Sequence, residues 1–302
     1  MIEQGTRPGV GVAEGVFRPR IGARQAIGRV WRWIFFGATS LAIVLLLLLL
    51  WSIVEPGIGW LNWHLITNPP SRVAERAGMM PAIWGSIWIV LGSGITSFIL
   101  GLGTAIYLEE YAAKGRFNDF IHTNISNLAG VPSIVYGLLG LVVFVDTLRM
   151  GRSLIAGALT MALLILPVVV ISSREAIRAV PSSLREASYG LGATRWQTVW
   201  NHVLPAAFPG VLTGIILAMS RAIGETAPLL VVGGASQVLW KPDSPFSTFM
   251  VMPLQIYNWT GRPQKEFEHL AAAAIIVLMI VLLLMNSLAI GLRQHFSKKA
   301  RW

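Results

Sequence analysis

The sequence predicts an all-α polytopic membrane protein with six transmembrane helices. Three observations carry that prediction. Apolar residues lie in long uncharged blocks rather than dispersed at period 2 or 3.6. Hydrophobic residues make up 54% of the chain and charged residues only 13%, about half the charged share of a soluble domain. Lys and Arg are unevenly divided between the segments that alternate around the blocks.

A crossing helix needs ~20 apolar residues. Six blocks meet that length: Trp33 to Val54, Ile83 to Leu108, Leu128 to Val145, Leu154 to Ser173, Ala206 to Ala235 and Leu270 to Leu292. The first is longer than a signal-peptide core of ~7–15 residues and has no small-x-small cleavage pattern, so it reads as a retained helix. Only Arg221 and Glu225 interrupt the fifth. With six crossings both termini share a side. That side holds Arg7, Arg18, Arg20 and the other basic residues up to Arg32, Lys114 and Arg116, the Arg174–Arg195 segment and the C-terminal tail. Its basic residues number sixteen, against seven on the opposite side. The positive-inside rule places both termini in the cytoplasm.

Composition also excludes classes. There is no cysteine, so disulfides, thiolate metal sites and cysteine nucleophiles are ruled out. The net charge of +10 belongs to the loops facing the cytoplasm and does not point to nucleic acid. Residues 1–28 are rich in Gly, Arg and Pro without apolar periodicity and read as a disordered cytoplasmic arm. Residues 29–79 form the first helix and an outer loop. Residues 80–292 form the core, with a cytoplasmic loop at 174–205, and 293–302 a cytoplasmic tail. The outer loop Ser236–His269 mixes prolines with Phe246, Phe249, Tyr257 and Trp259. It reads as a partly membrane-embedded segment or as an ordered outer loop.

The 174–205 loop is the most informative stretch. Pro181 suits a helix start, and Ser183 with Glu186 has capping-box spacing. Gly190 and Gly192 permit a sharp turn, with a positive φ at Gly192. Thr194 can cap a second helix carrying Trp196, Val199 and Trp200, and Pro205 precedes the next crossing. The expectation is two short helices at an angle on the cytoplasmic face.

Glu186-Ala187-Ser188, then Gly192, then His202-Val203-Leu204-Pro205 resembles the signature of bacterial ABC importer permeases. That signature reads Glu-Ala-Ala, three residues, Gly, nine residues, Ile-x-Leu-Pro. Ser188 stands for the second Ala and His202 for the Ile. The resemblance implies that Glu186, Ala187, Gly192, Leu204 and Pro205 couple the chain to a separate ATPase subunit. Three further stretches are similar to the PstA-type permeases of bacterial phosphate-specific importers: Ala105–Ala112, Asn127–Leu138 and Ser220–Leu230. This resemblance covers residues 80–292. It implies a type I (MetI-like) permease core in the bacterial inner membrane. It also implies a heterodimer with a PstC-type permease, two PstB-type ATPases and an external PstS-type phosphate-binding protein. The chain has no Walker A pattern, so ATP and Mg are used by the partner and no cofactor is bound here.

The candidate substrate path comprises Arg221, Glu225, Thr226 and Ser133. Arg221 and Glu225 lie four apart, on one helix face near the middle of the fifth crossing. They pair with each other, or Arg221 offers a guanidinium fork to phosphate oxygens while Glu225 accepts from a P–OH. Gly130, Pro132 and Gly137 permit a kink and close packing, or a bent helix that exposes backbone and the Ser133 hydroxyl. Glu109 and Glu110 read as a solvated helix end, or as a contact with the ATPase or sister permease. Arg174 reads as a positive-inside anchor. A permease for another oxyanion, such as phosphonate or sulfate, and a proton-coupled anion transporter are the alternatives.

Overall fold

The computed structural model describes residues 21–113, 115–233 and 238–299; for 21–24, 26, 292 and 295–299 it describes the backbone alone. The expected disordered arm lies outside the described residues up to residue 20, and helix begins at Ile21. The chain divides into two units, residues 1–52 and 53–302.

The described part of the first unit is helix α1, which runs Ile21–Gly57 and so ends in the second unit. Its apolar side chains between Ile27 and Trp51 are exposed, and Trp31 stacks on Phe35. A helix this long and apolar all round has the length and composition to cross a membrane.

The second unit is all-helical among its described residues. The helices are α2 (Trp63–Thr67), α3 (Met80–Ile106), α4 (Arg116–Ala129), α5 (Ser133–Gly140), α6 (Leu154–Arg178), α7 (Ser182–Gly190), α8 (Arg195–Thr198), α9 (Leu204–Gly224), α10 (Ala227–Gly233), α11 (Met252–Thr260) and α12 (Lys265–Lys299). Wider π turns extend α3 through Tyr107–Tyr111 and α5 through Leu141–Thr147, and join α8 to α9 through Val199–Val203. Helix α12 continues to Lys299, through most of the expected tail.

Helix α6 is the centre, buried along most of its length between α3 and α9. Small residues set the close approaches. A Cβ on Gly101 would stand 2.7 Å from Val169, one on Gly210 2.8 Å from Ala176, and one on Gly214 1.9 Å from Ser172. In lipid there is no hydrophobic drive between helices, so such close backbone contact supplies the packing energy. Gly57 meets the backbone of Ala272 and Ala273 on α12 in the same way.

The outer loop is built into the bundle. Leu154 and Ile155, the first residues of α6, donate their N–H groups to the carbonyls of Ser247 and Pro245, both at 2.9 Å. Phe249 wedges between Gly157 and Gly233, and the Met252 N–H donates to Ser86 Oγ at 2.9 Å. Phe249 to Gln255 are buried within the protein.

Three expectations change. The third crossing is not one helix from Leu128. It breaks at Gly130–Pro132, and α4 meets the α5 segment at 100°. Pro132 lacks an N–H and disfavours helical geometry in the residue before it. The Tyr136 hydroxyl donates to the Leu128 carbonyl at 2.8 Å and satisfies the end of α4. Among the described residues, five helices are long and apolar enough to cross a membrane, and the bent pair, taken as one span, makes a sixth. The fifth crossing breaks as well, because α9 ends at Gly224 and α10 starts at Ala227. Finally, the second short helix of the 174–205 loop does not stop at Pro205. It runs through a π turn into α9, giving a continuous helix from Arg195 to Gly224. Pro205 has no N–H for the carbonyl four residues back, and a π turn accommodates that missing donor.

Candidate functional site

Two sites emerge from the residues singled out in the sequence. The first is the α7 end of the bundle. Helix α7 starts directly after Pro181 without a side-chain cap, so Ser183 lies inside its first turn rather than capping it. Gly192 has φ +83°, the left-handed geometry expected of it. Thr194 caps α8 in a capping box with Gln197. Glu186, Ala187 and Gly192 are exposed, Leu191 is 90% exposed, and Pro205 lies on the exposed side of the α8–α9 helix, where Leu204 is half-buried. Trp196 and Trp200 are also exposed and stack at 5.5 Å. This end therefore presents exposed apolar and aromatic side chains interspersed with the charges of Glu175, Arg178, Glu186 and Arg195.

What holds α7 in place was not legible as such. Arg185 donates from Nε and NH2 to Glu110 Oε1 at 3.0 and 2.8 Å. It donates also to the carbonyls of Val180 and Ile177 at 2.7 and 2.9 Å. Arg174 donates from Nε and NH2 to Glu109 Oε1 at 2.8 and 2.6 Å. These side chains are largely buried. Glu109 and Glu110 are thus not a solvated end: each is paired with an arginine of this chain. Arg174 is not a surface anchor. It is buried at the end of α6 and tied to the π turn of α3. The paired glutamates opposite two loop arginines were visible in the sequence, but no spacing rule joins positions 65 and 75 residues apart.

The departure at Ser188 also has a partner. Its buried Oγ lies 2.8 Å from Thr198 Oγ1, so a hydrogen bond joins α7 to α8. An alanine there could not make it. His202 is exposed, so the polar substitution for an aliphatic residue costs no buried contact.

The second site lies at the two helix breaks. Gly137 of α5 backs onto Pro228 of α10, where a Cβ would stand 2.7 Å from Pro228 Cα. Ser133 is one turn before that contact on α5, and Glu225 and Thr226 lie just before it on the other chain segment. All three are half-buried. Glu225 is in extended backbone rather than helix, so it shares no helix face with Arg221. The pair still forms: Arg221 Nε lies 3.2 Å from Glu225 Oε1, with the arginine side chain 49% exposed. One residue earlier, Ser220 hydrogen-bonds Asn286 of α12, a polar contact between crossings that the sequence reading missed. Broken helices free backbone polar groups, and in a membrane these are tolerated only where protein or a water-lined cavity satisfies them. Paired breaks beside an exposed guanidinium form a candidate anion path.

Residues 97–302 match the family described as binding-protein-dependent transport system inner membrane component. The chain belongs to that family of permeases. It is 36% identical over 255 residues to the phosphate transport system permease protein PstA 1 of Mycobacterium tuberculosis (strain H37Rv), covering 82% of each chain. It is 36% identical over 228 residues to the probable ABC transporter permease protein YqgI of Bacillus subtilis (strain 168), covering 74% of this chain and 76% of that one. With the phosphate transport system permease protein PstA of Haemophilus influenzae it shares 32% over 226 residues, 74% of this chain and 79% of that one. Among solved structures, a chain of a bacterial alginate ABC transporter superposes with TM-score 0.63 at 17% identity, over 88% of this chain and 94% of that one. The MetNI methionine ABC transporter superposes with TM-score 0.59 at 16% identity, over 72% and 97%. The fold is therefore the MetI-like permease fold.

Proposed function

We propose that this chain is the PstA-type permease subunit of an ATP-driven phosphate importer. It lines the phosphate path and couples to a separate ATPase through α7. The observation that carries the proposal is the similarity to PstA proteins of the phosphate transport system, extending over most of the chain at 32–36% identity. The geometry supplies both parts that such a subunit needs. The exposed α7 surface, turned by Gly192 and held by the Glu110–Arg185 pair, is the contact for a PstB-type ATPase. The ATPase supplies the ATP and Mg chemistry. A PstC-type permease completes the membrane dimer, and a PstS-type protein delivers phosphate from outside. Both termini of this chain then face the cytoplasm of the bacterial cell.

At the breaks, Arg221 supplies a permanent charge and a donor fork for phosphate oxygens. Glu225 orients that guanidinium through their hydrogen bond and accepts from the P–OH that phosphate retains near neutral pH. Sulfate has no such proton, so the carboxylate repels it. Thr226 and Ser133 offer hydroxyls beside the same path. The test is uptake by the assembled transporter in proteoliposomes with its binding protein. Radiolabelled phosphate enters in the presence of ATP, excess sulfate or phosphonate does not compete, and Arg221→Gln abolishes uptake while the complex assembles and binds ATP. Near-normal uptake by that variant refutes the anion-path role. Uptake that persists with an inactive ATPase refutes ATP coupling.

A further inference from the structure

Helix α4 runs nearly at right angles, at 100°, to the segment that follows it. Its side chains divide into three faces. Ile121, His122, Ile125 and Ala129 turn toward the protein, where α4 packs on α6. Asp119 and Ser126, seven apart, are exposed on a polar face. Phe117, Phe120 and Leu128 form a third stripe at helical spacing, and they are 75%, 64% and 46% exposed. Asn124 and Asn127 are exposed within the same stripe, and Asn124 and the neighbouring Thr123 fold back on their own helix. Asn124 Nδ2 donates to the Phe120 carbonyl at 2.8 Å and Thr123 Oγ1 to the Asp119 carbonyl at 2.9 Å.

The depth of α4 follows from the length of what comes after it. The segment from α5 through its π turn has eight and seven residues. At ~1.5 Å per residue it reaches about 22 Å, against a hydrocarbon core of ~30 Å. A crossing completed from the far side by this segment ends roughly 8 Å inside the near boundary of the core. The other end of α4 sits at the tip of α3, where Asn118 Nδ2 donates to the Leu108 carbonyl at 3.5 Å. Amphipathic helices that lie in the membrane surface bury their apolar face ~5–10 Å into the boundary between headgroups and acyl chains. The shortfall and the burial depth agree.

We propose that α4 is an interfacial helix at the α7 end of the bundle, with Phe117, Phe120 and Leu128 in contact with lipid acyl chains and Arg116 at the headgroups. The sixth crossing is then a short helix completed by a helix lying in the membrane surface. Single cysteines test this directly, because the chain has none of its own. Spin labels are placed at Phe117→Cys, Phe120→Cys, Asp119→Cys and Ser126→Cys in the assembled transporter in nanodiscs, and the background of the unsubstituted complex is subtracted. The expected result is strong collision with oxygen and loss of collision with a water-soluble nickel chelate at 117 and 120, with the reverse at 119 and 126. Strong nickel collision at 117 and 120 would put the stripe in water and overturn the proposal. An immobilised signal there, protected from both reagents, would mean that a second permease covers the stripe, and would overturn it equally.

Discussion

The Glu110–Arg185 pair makes a demand on coupling that can be worked from its geometry. Glu110 Oε1 accepts two charge-assisted bonds from Arg185, and these bonds join the π turn of α3 to α7. Removing one partner of a buried ion pair costs ~3–5 kcal/mol, because the other charge is left unpaired. Arg185 is 20% exposed and keeps its bonds to Val180 and Ile177, so Glu110→Ala lies at the low end, ~3 kcal/mol. That corresponds to about a hundredfold loss in the population of the held arrangement. The expected outcome is a complex that assembles and hydrolyses ATP at its basal rate but loses most of the stimulation by loaded binding protein. Arg185→Met should do the same. The double variant removes both charges, and the two effects should fail to add, with a coupling energy of ~2–3 kcal/mol in the cycle. Parent-level stimulation in Glu110→Ala, or effects that add within ~0.5 kcal/mol, would refute the reasoning.

Gly192→Val forces a β-branched residue into φ +83°, at ~1–3 kcal/mol. Transport should be lost while the crossings remain inserted, read as uptake against the amount of protein in the membrane. Ser188→Ala deletes the bond to Thr198 and should cost only ~1 kcal/mol, visible as a lower melting temperature with transport retained. Pro205→Ala restores the missing N–H and favours an α turn in place of the π turn, which would rotate α8 by about 100° relative to α9. A disulfide between Ser188→Cys and Thr198→Cys, expected to form when Pro205 is kept because the two hydroxyls lie 2.8 Å apart, should then form poorly; unchanged cross-linking would mean that packing rather than Pro205 sets the turn. For orientation, Ser244→Cys should react with an impermeant thiol reagent from outside intact cells and Ser182→Cys should not. Both positions are exposed, whereas Ser153 caps α6 from a buried position and is unsuited to the assay.

The crossings were legible because lipid imposes a simple rule: about twenty apolar residues in a row, all backbone groups bonded within the segment. The rule gives length and not straightness, which is why the break after Gly224 was missed and the bend at Gly130–Pro132 was read from its glycine and proline rather than from hydropathy. Leu128–Val145 and Ala206–Ala235 are apolar through the points where the helices end. The signals were present in Gly130-Val131-Pro132 and in Gly224-Glu225-Thr226, but hydropathy averages over them. What decides that a helix ends there is a bond from elsewhere, such as Tyr136 reaching the Leu128 carbonyl.

The α7 hairpin shows the opposite balance. Its turn was legible because a positive φ leaves a local mark, a glycine at the one position that needs it. Its anchorage was not, because an ion pair between Arg185 and Glu110 leaves no pattern along the chain; each residue taken alone reads as a solvated charge. The same holds for Ser188, which looked like a drift from alanine and is half of a buried hydrogen bond. Arg174 and Arg185 therefore change meaning together. Counted as loop charges, they orient the chain in the membrane. Seen with their glutamates, Arg185 ties α7 to the end of α3, and Arg174 ties that same end to α6 at the centre of the bundle. A motion imposed on α7 then has two routes inward: through the Arg185–Glu110 pair to α3, and through the unbroken Arg195–Gly224 helix to the break at Glu225.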